Sequence, residues 1–261
     1  MRLTGHSGQD PVRCEEYAYG LGSPGGILVL AYRCAGRVDF GERREDFLHQ
    51  LYWSPDGVLS TVGGFVAPRE ALWVRRAVTH EVAVAGGQAV YRVCLREVPP
   101  ALVGLRTGAV SVSPEAARAL VSIASAGVAE ADALAARERL MAGLAASTHE
   151  FVDHHAVGAG FAMTIARALT RDPGDPTLLD EWAARLHASV KTVQRDFERE
   201  FGMSYSRWRT LTRLRAARAL LELHPVHQVA SRVGYATSSA FVAAFAKEFG
   251  HTPGGRVRVR P

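Results

Sequence analysis

Residues 178–202 read LLDEWAARLHASVKTVQRDFEREFG, and residues 226–250 read VHQVASRVGYATSSAFVAAFAKEFG. The two are versions of one unit. Each sets a small residue, Ala183 or Ala230, three positions before an apolar one, Leu186 or Val233, and continues through a turn into a segment ending Glu-Phe-Gly. This pattern predicts a short helix, a turn and a longer helix, the helix-turn-helix arrangement. The small alanine lets the second helix cross the first closely. The turn needs a residue that tolerates a positive φ, which Gly234 adopts freely and His187, one of the enriched non-glycine types, adopts with some strain. Ser189 and Ser238 are placed to cap the second helices through their hydroxyls. Val193 with Phe197, and Phe241 with Phe245, stand four apart and pin each second helix to a core. The opposite face then turns outward, and in the first unit it carries Lys191, Gln194, Arg195 and Arg199. Gln and Arg have the paired donors and acceptors that match adenine and guanine edges in a major groove.

Between the repeats, residues 204–223 predict a helix with Tyr205, Trp208, Leu211 and Leu214 at threefold spacing and Arg207, Arg209, Arg213, Arg215 and Arg218 around them. Its roughly 18 residues give about 27 Å, close to what two recognition helices need to enter successive major grooves about 34 Å apart. His224-Pro225 ends it, because proline cannot continue a helix. The arginines are assigned mainly to phosphate contact or to solvent, where they orient the protein and give salt-dependent affinity.

The rest of the chain has a different texture. From residue 20 to about 95, Gly and Pro interrupt short pieces rich in Val, Leu, Tyr and Trp, which reads as strands at 27–34, 48–54, 57–62, 71–74, 81–85 and 89–95. Many short strands so spaced suggest a closed sandwich or small barrel. Ser113-Pro114-Glu115 has the form of a helix start, and the chain from there reads as almost entirely helical. Within 130–146 a broad apolar face of Leu134, Leu140, Met141, Leu144 and Ala145, with Arg137 and Glu138 elsewhere, packs on the barrel or on a second subunit. The expected division is 1–100 for the barrel, 101–156 for a helical dimerisation and linker segment, and 157–261 for the DNA-binding domain. The fold class is therefore α+β, in two domains.

The chain of 261 residues holds 31 Lys+Arg against 26 Asp+Glu, a net charge of +5. That charge is uneven: residues 157–261 carry +7 and residues 1–156 carry −2. No apolar run approaches the roughly 20 residues of a membrane span, and no signal core opens the chain, so a cytoplasmic protein is expected. Cys14, Cys34 and Cys94 are odd in number and widely spaced, which excludes a disulfide framework and a CxxC zinc site. Buried inert thiols are one reading and a redox switch is the other.

Residues 161–255 resemble the DNA-binding domain of AraC/XylS-type transcriptional regulators. The resemblance rests on Ser189-x-x-x-Val193-Gln194-Arg195-x-Phe197, on Glu200-Phe201-Gly202-Met203-Ser204 with Trp208, on Gly234-Tyr235 followed by Ser238-Ser239-Ala240-Phe241, and on Phe249-Gly250-His251-Thr252-Pro253. It implies a seven-helix-type domain in which Lys191, Gln194 and Arg195, with Thr192 and Arg199 beside them, meet DNA from the first recognition helix. From the second, Ser238, Ser239 and Ala243 do so, with Lys247 as its only basic side chain. Ala243 stands where many members carry a base-reading Arg, so the first unit is expected to supply most of the discrimination. After Pro253 the family's usual aromatic is missing, and the tail with Arg256, Arg258 and Arg260 is either a mobile basic arm or a solvated end. Around His49-Gln50-Leu51-Tyr52-Trp53, Val66-Ala67-Pro68, Ala71-Leu72-Trp73-Val74 and His80-Glu81-Val82 the chain is similar to the cupin-like barrel of such regulators, which implies a small effector or a dimer contact. The partners so implied are double-stranded promoter DNA, RNA polymerase, a small-molecule effector and a second copy of the chain.

Tyr32, Tyr52, Trp53, Trp73 and Tyr91 are the candidate effector-lining residues, with core filling as the competing reading, and Arg75-Arg76 either receives an anion or lies at a solvated edge. A cupin metal site takes a His-x-His pair, a Glu and a later His. Only His49 and His80 match, and two imidazoles do not close a first shell, so neither metal nor cofactor is expected. His149-Glu150-Phe151-Val152-Asp153-His154-His155 misplaces the second histidine of a zinc-protease HExxH and reads as a polar linker. No nucleophile elbow, Walker loop or dinucleotide fingerprint occurs, and no catalytic role is expected. Two alternatives stand beside the regulator: a metal-dependent cupin enzyme fused to a DNA-binding module, and a thiol-based redox-sensing regulator.

Overall fold

The computed structural model describes residues 12–62, 64–146 and 160–254. The 149–155 stretch and the tail with Arg256, Arg258 and Arg260 lie outside them. The chain divides into two compact units, residues 1–59 with 66–153 and residues 60–65 with 154–261.

The strands are β1 (Val12–Tyr19), β2 (Ile27–Cys34), β3 (Val38–Arg43), β4 (His49–Trp53), β5 (Leu59–Thr61), β6 (Gly64–Val66), β7 (Glu70–Val74), β8 (His80–Val84), β9 (Gln88–Leu95), β10 (Thr107–Val112) and β11 (Leu144–Ala146), all in the first unit except residues 60–65 of β5 and β6. Two helices, α1 (Pro114–Ile123) and α2 (Glu130–Ala142), precede β11. Seven strands form one sheet in the order β1-β2-β9-β4-β7-β10-β11, and four form a second in the order β3-β8-β5-β6. Both orders run open, so the expected closed barrel is replaced by two facing layers of strand.

The central strands β4 and β7 are buried at every position, because both faces of their sheet are covered. Strand alternation sends Leu51, Trp53, Trp73, Tyr91, Val93 and Leu95 to a core shared with α1 and α2. The same alternation sends Tyr52, Leu72, Val74 and Val90 to a second core with Leu59, Val66, Val82 and Val84 of the small sheet. Helices, large sheet and small sheet are thus three layers around two cores.

Ser113 caps α1 as expected, its Oγ accepting from the Ala116 N–H at 3.1 Å. The helix expected over 130–146 stops at Ala142, and Leu144–Ala146 pairs with β10 instead. The reason is local: Gly143 lies where a Cβ would come within 2.4 Å of Ser113 Oγ, and its carbonyl accepts from the Ser113 N–H at 3.0 Å. The face of α2 also differs from the expected one. Arg137 is only 2% exposed, and its guanidinium bonds Glu97 and Glu138 at 2.5 Å each. Ala136, Leu140 and Met141 pack into the first core, so within this chain the stripe covers the large sheet. No helix among the described residues is long and apolar enough to cross a membrane.

The second unit is helical: α3 (Phe161–Arg171), α4 (Leu179–Arg185), α5 (Val190–Phe201), α6 (Tyr205–Leu220), α7 (Val226–Arg232) and α8 (Ser238–Phe249). Gly202 and Gly250, at φ +64° and +74°, terminate α5 and α8 in the left-handed cap that glycine adopts without steric cost. Ala162, Ile165, Val193, Phe197, Phe201 and Trp208 share one core, in which Phe197 lies 5.1–5.5 Å from the rings of Phe201, Tyr205 and Trp208.

Candidate nucleic-acid interface

The two helix-turn-helix units superpose in their hydrogen bonding. In the first, His187 takes φ +53°, its N–H donates to Ala184 O at 3.1 Å, and the Ala188 N–H donates to Ala183 O at 2.9 Å. In the second, Gly234 takes φ +79°, its N–H donates to Ser231 O at 3.0 Å, and the Tyr235 N–H donates to Ala230 O at 2.9 Å. Ala183 and Ala230 are buried where the helices cross. The turn chemistry read from the repeat is present at both positions.

The second turn is one residue longer. Ser189 caps α5, accepting from the Thr192 N–H at 3.0 Å, whereas α8 is capped by Thr237, which accepts from the Ala240 N–H at 3.2 Å. Ser238, expected as the cap, is the first helical residue instead. Ala236 supplies the extra step between the left-handed residue and the cap. Counted from the caps, Ser239 therefore matches Lys191, Ala243 matches Arg195 and Lys247 matches Arg199.

Lys191, Gln194 and Arg195 are exposed along α5, opposite Val193 and Phe197, which are fully buried. Thr192 is half-buried, its hydroxyl 2.8 Å from that of Ser189, so it serves the cap first. Arg199 bonds Asp196, whose other oxygen accepts from the Ala162 N–H at 2.8 Å. Asp196 is only 6% exposed, so this arginine closes a buried tie between α5 and the start of α3 while leaving most of its own surface in water. On α8, Ser238, Ser239, Ala243 and Lys247 are exposed, and only Lys247 carries charge.

The arginines of α6 require a correction. Arg209 donates to the carbonyls of Asp175 and Thr177 and to the Tyr205 hydroxyl, and Arg213 donates to Pro173 O at 3.0 Å and Asp175 O at 3.4 Å. Both are committed to the segment that leads into α4. Arg207 makes two bonds to Glu248 of α8, and Arg218 lies 5.8 Å from the Phe249 ring centroid. Arg209 and Arg213 thus turn inward rather than to phosphate or solvent, whereas Arg207 stays half exposed, as the solvent assignment has it. A signal existed: Arg209 and Arg213 follow the buried Tyr205 at steps of four and share its stripe. Asp175 belongs to the same joint. Desolvation works against its charge, but hydrogen bonds from Thr177 and the nearby Arg185 and Arg209 hold its carboxyl below the usual range.

In the first unit the five aromatic candidates do not share one space. Trp53, Trp73 and Tyr91 belong to the core under the helices, with Trp53 stacked on Tyr91 at 5.6 Å, while Tyr52 and Tyr32 lie on the other face of the sheet. His49 and His80 also have separate duties. His49 Nδ1 accepts from the Arg76 N–H at 3.1 Å, and both ring nitrogens of His80 are in contact, with Val78 O at 3.1 Å and the Tyr52 hydroxyl at 2.9 Å. Among the described residues no cluster of three or more His, Cys, Asp or Glu is placed to hold a metal. Burial pushes the Cys34 and Cys94 thiols up, away from the reactive thiolate, and Cys14, exposed at its surface, is raised by partial desolvation with Glu16 and Glu15 nearby. Arg75 bonds Val103 O at 3.4 Å and Arg76 is exposed, as at the edge of a loop. Gln50 and Arg92, missed in the sequence, sit beside Tyr52. The sign available was a charged residue at an inward-alternating position of the apolar strand β9.

Residues 182–257 match the family model described as a helix-turn-helix domain. Over 93 residues, 35% of this chain, the sequence is 37% identical to the HTH-type transcriptional regulator RipA of Corynebacterium glutamicum. Over 92 residues it is 30% identical to the HTH-type transcriptional regulator NimR of Escherichia coli. The matches span 28% and 34% of those relatives' lengths. A solved transcriptional regulator of the AraC-type DNA-binding domain-containing proteins, from Chromobacterium violaceum, is 21% identical over 36% of this chain and 85% of its own, with a TM-score of 0.34. The matched segment overlaps the two repeats, and the chain carries over residues 182–257 a helix-turn-helix domain.

Proposed function

We propose that the chain is a sequence-specific, DNA-binding transcriptional regulator in which α5 reads bases in a major groove and α8 contributes phosphate and shape contacts. The observation that carries this reading is the face of α5: Lys191, Gln194 and Arg195 are exposed while Val193 and Phe197, on the opposite side, are fixed in the core. A preordered helix that offers paired hydrogen-bonding groups loses little entropy on docking. The likeness of a stretch of 92–93 residues to two HTH-type transcriptional regulators supports the same assignment. On this reading Lys191, Thr192, Gln194, Arg195 and Arg199 act from the first unit, and Ser238, Ser239 and Lys247 from the second. The sheet-built unit senses a small effector or holds a dimer, the assembly acts on promoter DNA in the cytoplasm together with RNA polymerase, and no reaction is catalysed.

Selection of bound genomic fragments, followed by footprinting, tests the proposal. Arg195→Ala is expected to cost about 1–3 kcal/mol on the selected site and to relax preference at one base pair. An unchanged footprint and affinity would remove Arg195 from the interface.

A further inference from the structure

The largest unexplained feature of the first unit lies between its two sheets. Arg92 of β9 stands opposite Tyr52 of β4, and Gln50 lies two residues before Tyr52 on the same face. Gln50 Oε1 accepts from Arg92 Nε at 3.0 Å and from the Tyr52 hydroxyl at 2.6 Å. The small sheet contributes His80, 2.9 Å from that hydroxyl, and its strand neighbour Arg43.

Three observations show that this cluster is incomplete. Gln50 is 1% exposed, yet its Nε2 has no hydrogen-bond partner. Leaving a buried amide donor unmade costs free energy that a structure rarely tolerates without cause. Arg92 is half-buried, and among the described residues it pairs with no carboxylate. Finally, the contacts need one proton more than neutral groups supply. His80 Nδ1 must donate to Val78 O, and Tyr52 must donate to Gln50, so the His80–Tyr52 contact needs a second proton on the imidazole. Burial, with Arg92 and Arg43 adding to it against the Val78 hydrogen bond, disfavours that proton. An unpaired cation, an orphaned donor and a histidine starved of its proton all lack the same thing, a negative charge.

We propose that Arg92 and Gln50 anchor a binding site for a small carboxylate-bearing anion between the two sheets, an inference that rests on the effector-sensing reading given above. The Arg92 Nε is engaged by Gln50 and the guanidinium also meets the Tyr32 hydroxyl, so its remaining N–H groups grip the carboxylate, and Gln50 Nε2 supplies a further donor. Tyr32, beside the same guanidinium, borders the site. The anion offsets the field of Arg92 and Arg43, so His80 takes up a proton as the ligand binds.

The test uses the full chain without DNA, with acetate and benzoate as probes and acetamide and benzamide as neutral counterparts. The carboxylates are expected to raise the melting temperature saturably, more at pH 6 than at pH 8, and the amides to leave it unchanged. Arg92→Met should abolish the response while Arg96→Met keeps it. Gln50→Glu places a carboxylate beside Arg92 within the chain, so it should melt higher than the parent and lose the probes. Equal stabilisation by the amides, a response that survives Arg92→Met, or no response to either acid overturns the site. So does a Gln50→Glu variant that melts lower and still binds, which guards against an Arg92 variant that merely fails to fold. Fragment selection without probe is read separately: its failure removes the regulator and leaves the anion site, whereas failure of the probes leaves DNA binding untouched.

Discussion

Arg207 of α6 holds Glu248 of α8 through two hydrogen bonds, of 2.6 and 3.0 Å, across 41 residues of sequence. This pairing fixes α8 to α6 at a point remote from the N-terminus of α8. Arg207 is 52% exposed on its side chain and Glu248 19%, so solvent screens much of the attraction. A double-mutant cycle with Arg207→Ala and Glu248→Ala is expected to give a coupling of about 0.5–1 kcal/mol in thermal melts. A coupling near zero would show that the Phe241 and Phe245 core alone sets the position of α8.

Arg209 is expected to behave as a structural residue, and salt dependence separates this from a DNA contact. Its guanidinium serves carbonyls of the α3–α4 connection, so Arg209→Met leaves those acceptors bare and should cost about 2 kcal/mol of stability. The slope of log K against log salt, measured on nonspecific DNA below the melting temperature, should stay as in the parent. Lys191→Ala should do the reverse, leaving stability unchanged and reducing that slope by about 1.

These two residues also mark how far the sequence could be read. The repeat was legible because its constraints are local: a small residue at the crossing, a residue tolerant of positive φ at His187 and Gly234, and phenylalanines at steps of four. Thr237 was missed as a cap because one added residue in the second turn shifts the frame after Gly234, and Ser238 has the same chemistry one place later. Arg209 and Arg213 differ from the expectation because composition gives charge without a partner, and the carbonyls of residues 173–177 are partners no pattern announces. In the sheet-built unit the strands were visible, but which side chains share a face depends on pairing across distant strands. Tyr52 and Trp53, both candidates for an effector lining, fall in opposite cores, and nothing in the local pattern singles out Arg92.

Ala243 occupies the place on α8 that Arg195 holds on α5, and it is exposed. Ala243→Arg should therefore enter the second unit's contact face without touching its core. The expected result is tighter binding with a steeper salt slope and a new base preference in the half of the site bound by α8. If the footprint and the selected sequence stay as in the parent, α8 does not lie against the groove in the way its equivalence to α5 requires.

Stability should fall as the solution is acidified through the histidine range. Burial, with Arg75 and Arg76 nearby, lowers the pKa of His49, and burial with Arg92 and Arg43 lowers that of His80 despite the Val78 hydrogen bond. Both start from an ordinary value of 6.5 in the unfolded chain. A depressed folded-state pKa means the unfolded chain binds more protons, so the contribution is complete above about pH 6.5 and is lost as pH falls through the folded value. For His49 the loss has a visible structural cause, because protonating Nδ1 abolishes the acceptor used by the Arg76 N–H. Melting temperatures measured from pH 8 to pH 5 in a bulky zwitterionic buffer, which keeps small carboxylates out of the first unit, should decline below pH 6.5. His49→Gln and His80→Gln should each flatten the decline. Asp175, also depressed, adds its own loss only at lower pH, near and below the carboxylate range, so the two effects separate on the pH axis. A decline that neither histidine substitution alters would assign the acid sensitivity to other groups.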